Sequence, residues 1–144
     1  MSQSTISLPS LPLWQEFPEL ELYMDQIVSL GNRYLSGLTQ TTITPAMVNS
    51  YVKKGLISRP IKKRYTCVQL GQLLLVSLFK SVYSLDIVEK LLPPVLDQIT
   101  YDEIATKFNT ILTCQQVTPL NSDLTTLALQ TVIFKCLTLE LCND

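Results

Sequence analysis

No histidine occurs anywhere in this chain, and its four cysteines, Cys67, Cys114, Cys136 and Cys142, form no C-x-x-C pair. A zinc finger or a common zinc-enzyme site therefore has no ligand set. Only four glycines are available, and none belongs to a phosphate-binding loop or a nucleophile elbow; no carboxylate pair has a recognisable catalytic spacing. No catalytic residue, metal or cofactor is expected, and the chain does not read as an enzyme. The cysteines read as core or surface thiols, since a redox pair such as Cys136 and Cys142 would not share a helical face.

Two further absences concern compartment. The opening MSQSTISLPSLPLW has neither a basic n-region nor a continuous apolar h-region, so no signal peptide is expected and the protein is placed in the cytoplasm. A run of roughly eighteen apolar residues is also missing: Val68 to Phe79 is shorter and is interrupted by Gln69, Gly71, Gln72 and Ser77, so no membrane span is predicted.

The last absence is of acid, and it is local. Residues 26–85 carry eight bases and no acid, whereas residues 1–25 carry four acids and no base, and residues 86–144 carry eight acids and three bases. The net charge of −1 conceals a basic middle between two acidic ends, the distribution expected of a polyanion-binding module attached to another body. A length of 144 residues and an apolar content of 47% suit one domain with one core.

What is present concentrates in Thr44 to Tyr65, TPAMVNSYVKKGLISRPIKKRY, which holds six of the eleven basic residues. Thr44 can accept from an orphan amide of a first helical turn, and Pro45 suits the first helical position. Val48, Tyr51 and Val52 form an inward stripe, leaving Ala46, Asn49, Ser50 and Lys53 on the outer face. Lys53 and Lys54 favour a helix C-terminus, and Gly55 takes the left-handed cap. Leu56-Ile57 then anchors the chain, Arg59-Pro60 signals a turn, and Ile61 to Tyr65 reads as a basic strand-like run.

In this order the segment resembles the winged helix-turn-helix of MerR-type transcription regulators. The family's recognition helix carries a Tyr-Tyr pair and runs into Gly-Leu-Leu or Gly-Leu-Ile; Ser50-Tyr51 and Gly55-Leu56-Ile57 occupy those positions. Its wing ends in Arg-x-Tyr before a Ser or Thr cap, matched by Lys63-Arg64-Tyr65-Thr66, and its Gly-Phe-Ser-Leu-x-x-Ile segment resembles Val82 to Ile87. A second resemblance, from about Leu11 through at least Ile87, is to bacterial proteins of similar size and unknown function. They pair an opening like LELYMDQ (residues 20–26) with a Tyr-Val-Lys-x-Gly-Leu-Ile core.

These resemblances imply an all-α fold: a MerR-like winged helix-turn-helix with a short basic β-hairpin wing, followed by a C-terminal helical bundle. Residues 1–18 are expected to form an extended arm, 19–92 the DNA-binding region, and 93–144 a helical region for packing or dimerisation, in one compact unit. They imply double-stranded DNA as partner, with Asn49, Ser50 and Lys53 at base edges and Arg33, Tyr51, Lys54, Arg59, Lys62, Lys63 and Arg64 at phosphates. Two departures leave an alternative open. Ala46 and Asn49 stand where many MerR recognition helices carry arginine, and the hairpin is several residues shorter. A degenerate helix-turn-helix that binds an acidic protein fits these departures.

In chain order, the proline-spaced start through Pro18 predicts an arm pinned by Trp14 and Phe17. A helix from Glu19 to Leu35 follows, with Leu20, Met24, Ile27, Val28, Leu30 and Leu35 as inner positions, then a threonine-rich turn over Gly37 to Ile43. Beyond the hairpin, Thr66 caps a helix to about Tyr83 that is apolar on most sides and should be central. Ser84 caps a helix to about Leu92, where Pro93-Pro94 should break or kink the chain. Thr100 and Glu103 have capping-box spacing for a helix from Tyr101 to about Cys114, and Pro119 and Asn121 mark a turn. The last helix, Ser122 or Asp123 to about Leu141, is apolar over more than one stripe. One face must meet a second copy or the body of its own monomer. No sustained heptad is read in it, so the coiled-coil dimer of MerR-type regulators is not carried over.

Overall fold

Thr66 and the apolar run behind it set the architecture. The Thr66 hydroxyl accepts the Val68 amide, while Gln69 Oε1 returns to the Thr66 amide at 2.8 Å, a reciprocal cap that starts the helix at one residue. The computed structural model describes residues 8–114 and 123–142. Its helices are α1 (Met24–Leu35), α2 (Pro45–Lys53), α3 (Cys67–Lys80), α4 (Leu85–Gln98), α5 (Tyr101–Cys114) and α6 (Leu124–Cys142). The chain is all-α as expected: among the described residues there are only isolated backbone bridges and no strand. The central helix is α3, which packs against α1, α4, α5 and α6. Leu70, Leu73, Leu74, Leu75, Val76, Leu78 and Phe79 are all buried, each side chain contributing about 1.5–3 kcal/mol by leaving water. Gly31 lets α1 lie this close, because a Cβ there would stand 2.9 Å from Ile43 Cδ1 and 3.2 Å from Leu73 Cδ2.

The arm is held by α5. Asn109 accepts the Leu11 amide at 2.8 Å and donates to the Leu11 carbonyl at 3.0 Å, and Asp102 accepts the Trp14 amide at 2.9 Å. Phe17 is buried, while Trp14, in a 3-10 turn over Trp14–Glu16, stays partly exposed. The buried Tyr101 hydroxyl donates to the Pro12 carbonyl at 2.8 Å, and burial pushes its pKa well above the usual phenol value, so it remains a donor. Tyr101→Phe should cost about 1–3 kcal/mol, the penalty for orphaning a buried acceptor, read by urea unfolding with an unchanged m-value.

Three expectations need correction. First, α1 begins at Met24, not Glu19; Leu20, expected inside, is 77% exposed. The reason is a competing backbone pairing: Leu22 and Tyr65 exchange both N–H···O bonds at 2.7 Å, which holds residue 22 extended. Second, α4 runs through Pro93 and Pro94 to Gln98. Both prolines are exposed, while Leu91, Leu92 and Val95 are buried, so core packing outweighs the missing amide donors. Third, the hairpin wing does not form as two strands: Ile61 and Arg64 bond each other across Lys62-Lys63, at 3.1 and 3.0 Å, and the next pairing of Tyr65 is with Leu22. By length and composition alone α6 could also cross a membrane, a test that the core helix of a soluble protein passes equally. The turn expected at Pro119 and Asn121 lies outside the described residues.

α6 starts on Asp123, whose Oδ1 accepts the Thr126 amide at 2.8 Å. That bond, with Lys107 assisting, holds the carboxyl below its usual range. Ala128, Leu129, Val132, Ile133 and Cys136 face the core. Burial pushes the Cys136 thiol up, and its Sγ donates to the Leu38 carbonyl at 3.0 Å, whereas Cys142 is exposed. One thiol belongs to the core and the other to the surface, in keeping with a spacing that puts them on different faces.

Candidate nucleic-acid interface

Thr44 Oγ1 accepts the Met47 amide at 3.3 Å and Pro45 opens α2, as the cap chemistry predicts. The helix is closed by a full Schellman arrangement: Gly55, at φ +77°, sends its amide to the Val52 carbonyl and Leu56 sends its own to Tyr51. Asn32 on α1 fixes the approach to α2, accepting the Ile43 amide at 2.7 Å and donating to the Ile43 carbonyl at 3.1 Å. The segment beyond α2 is held by α3. Gln72 accepts the Ser58 amide at 2.8 Å, and Gln69 Nε2 donates to the Arg59 carbonyl at 3.3 Å. Sequence reasoning missed Asn32 and both glutamines as positioning residues. Only Gln69 carried a local signal, the T-x-x-Q spacing of a capping box.

The basic tip is a tight turn with positive φ at both central residues, Lys62 (52°) and Lys63 (63°). This is the type I′ backbone, which favours an Asn-Gly pair and strains longer side chains. Two lysines in a strained, exposed turn have no packing reason to be there. The fold does not need them: Lys62→Asn combined with Lys63→Gly should stabilise it by about 1 kcal/mol, read from the urea midpoint.

On α2, Asn49 and Lys53 are exposed and Ser50 is half-buried, so the three residues expected at base edges share an accessible face. Arg33, Arg59, Lys62 and Lys63 are exposed and, like Lys53, enter no ion pair among the described residues. Two others are already engaged. Lys54 pairs with Glu89 at 3.4 Å; Arg64 pairs with Glu21 at 3.1 Å and lies over the Tyr23 ring, 5.7 Å from its centroid. Tyr51 is a correction: expected at a phosphate, it is only 1% exposed and belongs to the core. Its position in the Val48–Tyr51–Val52 stripe decides its direction, and a side chain on the inner face of a helix cannot reach a partner on the outer one.

A family model described as a domain of unknown function (DUF1836) matches residues 12–113. No curated protein and no solved structure matches the chain significantly.

Proposed function

The chain belongs to the DUF1836 family, and from its own surface we propose that it is a DNA-binding transcriptional regulator acting as a homodimer. The observation that carries this reading is the exposed face of α2, with Asn49 and Lys53, followed by a strained turn that displays Lys62 and Lys63. In this reading α2 enters the major groove as the second helix of a helix-turn-helix, with α1 as the first. Arg33, Arg59, Lys62 and Lys63 neutralise phosphates and release counterions, supplying most of the affinity. Asn49 carries the one bidentate amide on the face and selects adenine. Two copies joined through α6 would match a two-fold operator.

A second reading has its own support. Lys54 and Arg64 already hold carboxylates, so the same basic face suits an acidic protein segment. Duplex binding followed by fluorescence anisotropy across a salt series separates the two. A regulator binds a selected duplex at least about 10³-fold more tightly than random DNA, with log K falling steeply against log salt. Equal, weak binding to both duplexes sinks the regulator and leaves the protein-binding module.

A further inference from the structure

Beneath α2 lies a partly enclosed cavity of about 50 Å³, lined by Thr39, Thr41, Ile43, Met47, Tyr51, Ser77, Lys80 and Ser81. Its polar groups are unusual for an interior. The hydroxyls of Tyr51 and Ser77 are both buried and meet no hydrogen-bond partner among the described residues, a costly arrangement for either one alone. Lys80, an exposed residue that also lines the cavity, holds its ammonium 5.4 Å from the Tyr51 ring centroid, and it enters no ion pair among the described residues. Among the described residues no acidic side chain lines this cavity or the adjoining one, which shares Thr39, Thr41 and Ser81 and adds Lys135. The negative end of α3 lies close by, but the Lys135 ammonium donates to the Ser81 carbonyl there and offsets it.

We infer that this cavity is a binding site for a short-chain monocarboxylate. The Tyr51 and Ser77 hydroxyls, which have no other partner among the described residues, and the Lys80 ammonium are the groups of this lining able to donate charge-assisted hydrogen bonds to an oxyanion, and Ile43 and Met47 supply an apolar wall for the alkyl end. Size limits the class: at roughly 10–15 Å³ for each water-sized sphere, the space of about 50 Å³ holds about four of them, room for an anion as small as acetate. Because Met47 and Tyr51 belong to α2, an occupied site ties that helix to α3. The inference does not depend on DNA binding.

The test is amide chemical-shift titration of the ¹⁵N-labelled full chain with acetate, propionate, phosphate and chloride at matched ionic strength. Acetate or propionate should produce saturable shifts at Tyr51, Ser77, Lys80 and Ser81 that chloride and phosphate do not. Tyr51→Phe, Ser77→Ala and Lys80→Gln should each weaken the response at least about tenfold, the loss expected for a hydrogen bond to a charged group. All three are small changes, and their spectra report directly whether the fold is kept. Saturable shifts with phosphate alone would reassign the site to inorganic anions and overturn the carboxylate. Shifts no larger than with chloride, or variants that respond like the wild type, would overturn the site altogether; a cavity holding only solvent gives that result, with Tyr51→Phe merely stabilising the fold.

Discussion

The triple variant Arg59→Gln, Lys62→Asn, Lys63→Gly should bind duplex DNA roughly 100- to 500-fold more weakly than the wild type at about 0.1 M salt. The magnitude follows from counterion release. Each lost phosphate contact lowers the slope of log K against log salt by about 0.9. Three contacts then amount to nearly three decades of affinity at that salt, and to little near 1 M. The substitutions are chosen so that folding and binding move in opposite directions: Asn and Gly relieve the positive-φ strain at residues 62 and 63, so the variant should melt higher while binding less. A protein that loses affinity through damage would show the reverse. Glu21→Gln serves as the complementary change. It frees Arg64 from its 3.1 Å ion pair and should strengthen binding modestly, because an internal competitor for the guanidinium is gone. If the triple variant keeps the wild-type salt slope, the turn does not touch phosphate and the proposed interface is wrong.

Leu127→Lys with Phe134→Lys should convert the proposed dimer into a monomer, with a loss of self-affinity of at least about 100-fold, measured by sedimentation velocity. The argument starts from which α6 residues the body leaves uncovered. Leu124, Leu127, Thr131, Phe134, Thr138 and Leu141 are all exposed, and their spacing alternates three and four, the seam of a coiled coil. The two threonines do not interrupt it. Thr131 donates to the Leu127 carbonyl at 2.8 Å and Thr138 to the Phe134 carbonyl at 2.7 Å, so each hydroxyl is satisfied within the helix. Burying two lysines against two more from the partner costs both desolvation and like-charge repulsion. Since both positions are exposed in the monomer, the variant should fold normally. The helix is also long and apolar enough to cross a membrane, so flotation with lipid vesicles is the control. A wild-type chain that stays monomeric and floats with lipid would assign the stripe to a bilayer, not to a second copy.

The sequence by itself determined the elements whose causes are local. Thr44-Pro45, Thr66, Ser84 and the Thr100–Glu103 pair place four helix starts because a cap acts within one turn of the chain, and Gly55 ends α2 because only a glycine takes that φ without strain. The central place of α3 was legible too, since a helix apolar on most sides has to be buried. Tertiary structure decided whatever depended on partners distant in the chain. Leu22 pairs with Tyr65 and so delays α1; buried Leu91, Leu92 and Val95 carry α4 past two prolines; the inner face of α2 takes Tyr51 away from solvent. The exposed stripe on α6 was hidden for the same reason. In a helix that is apolar all round, the pattern of one face appears only after the core has claimed the other, and which face that is depends on residues from the rest of the molecule.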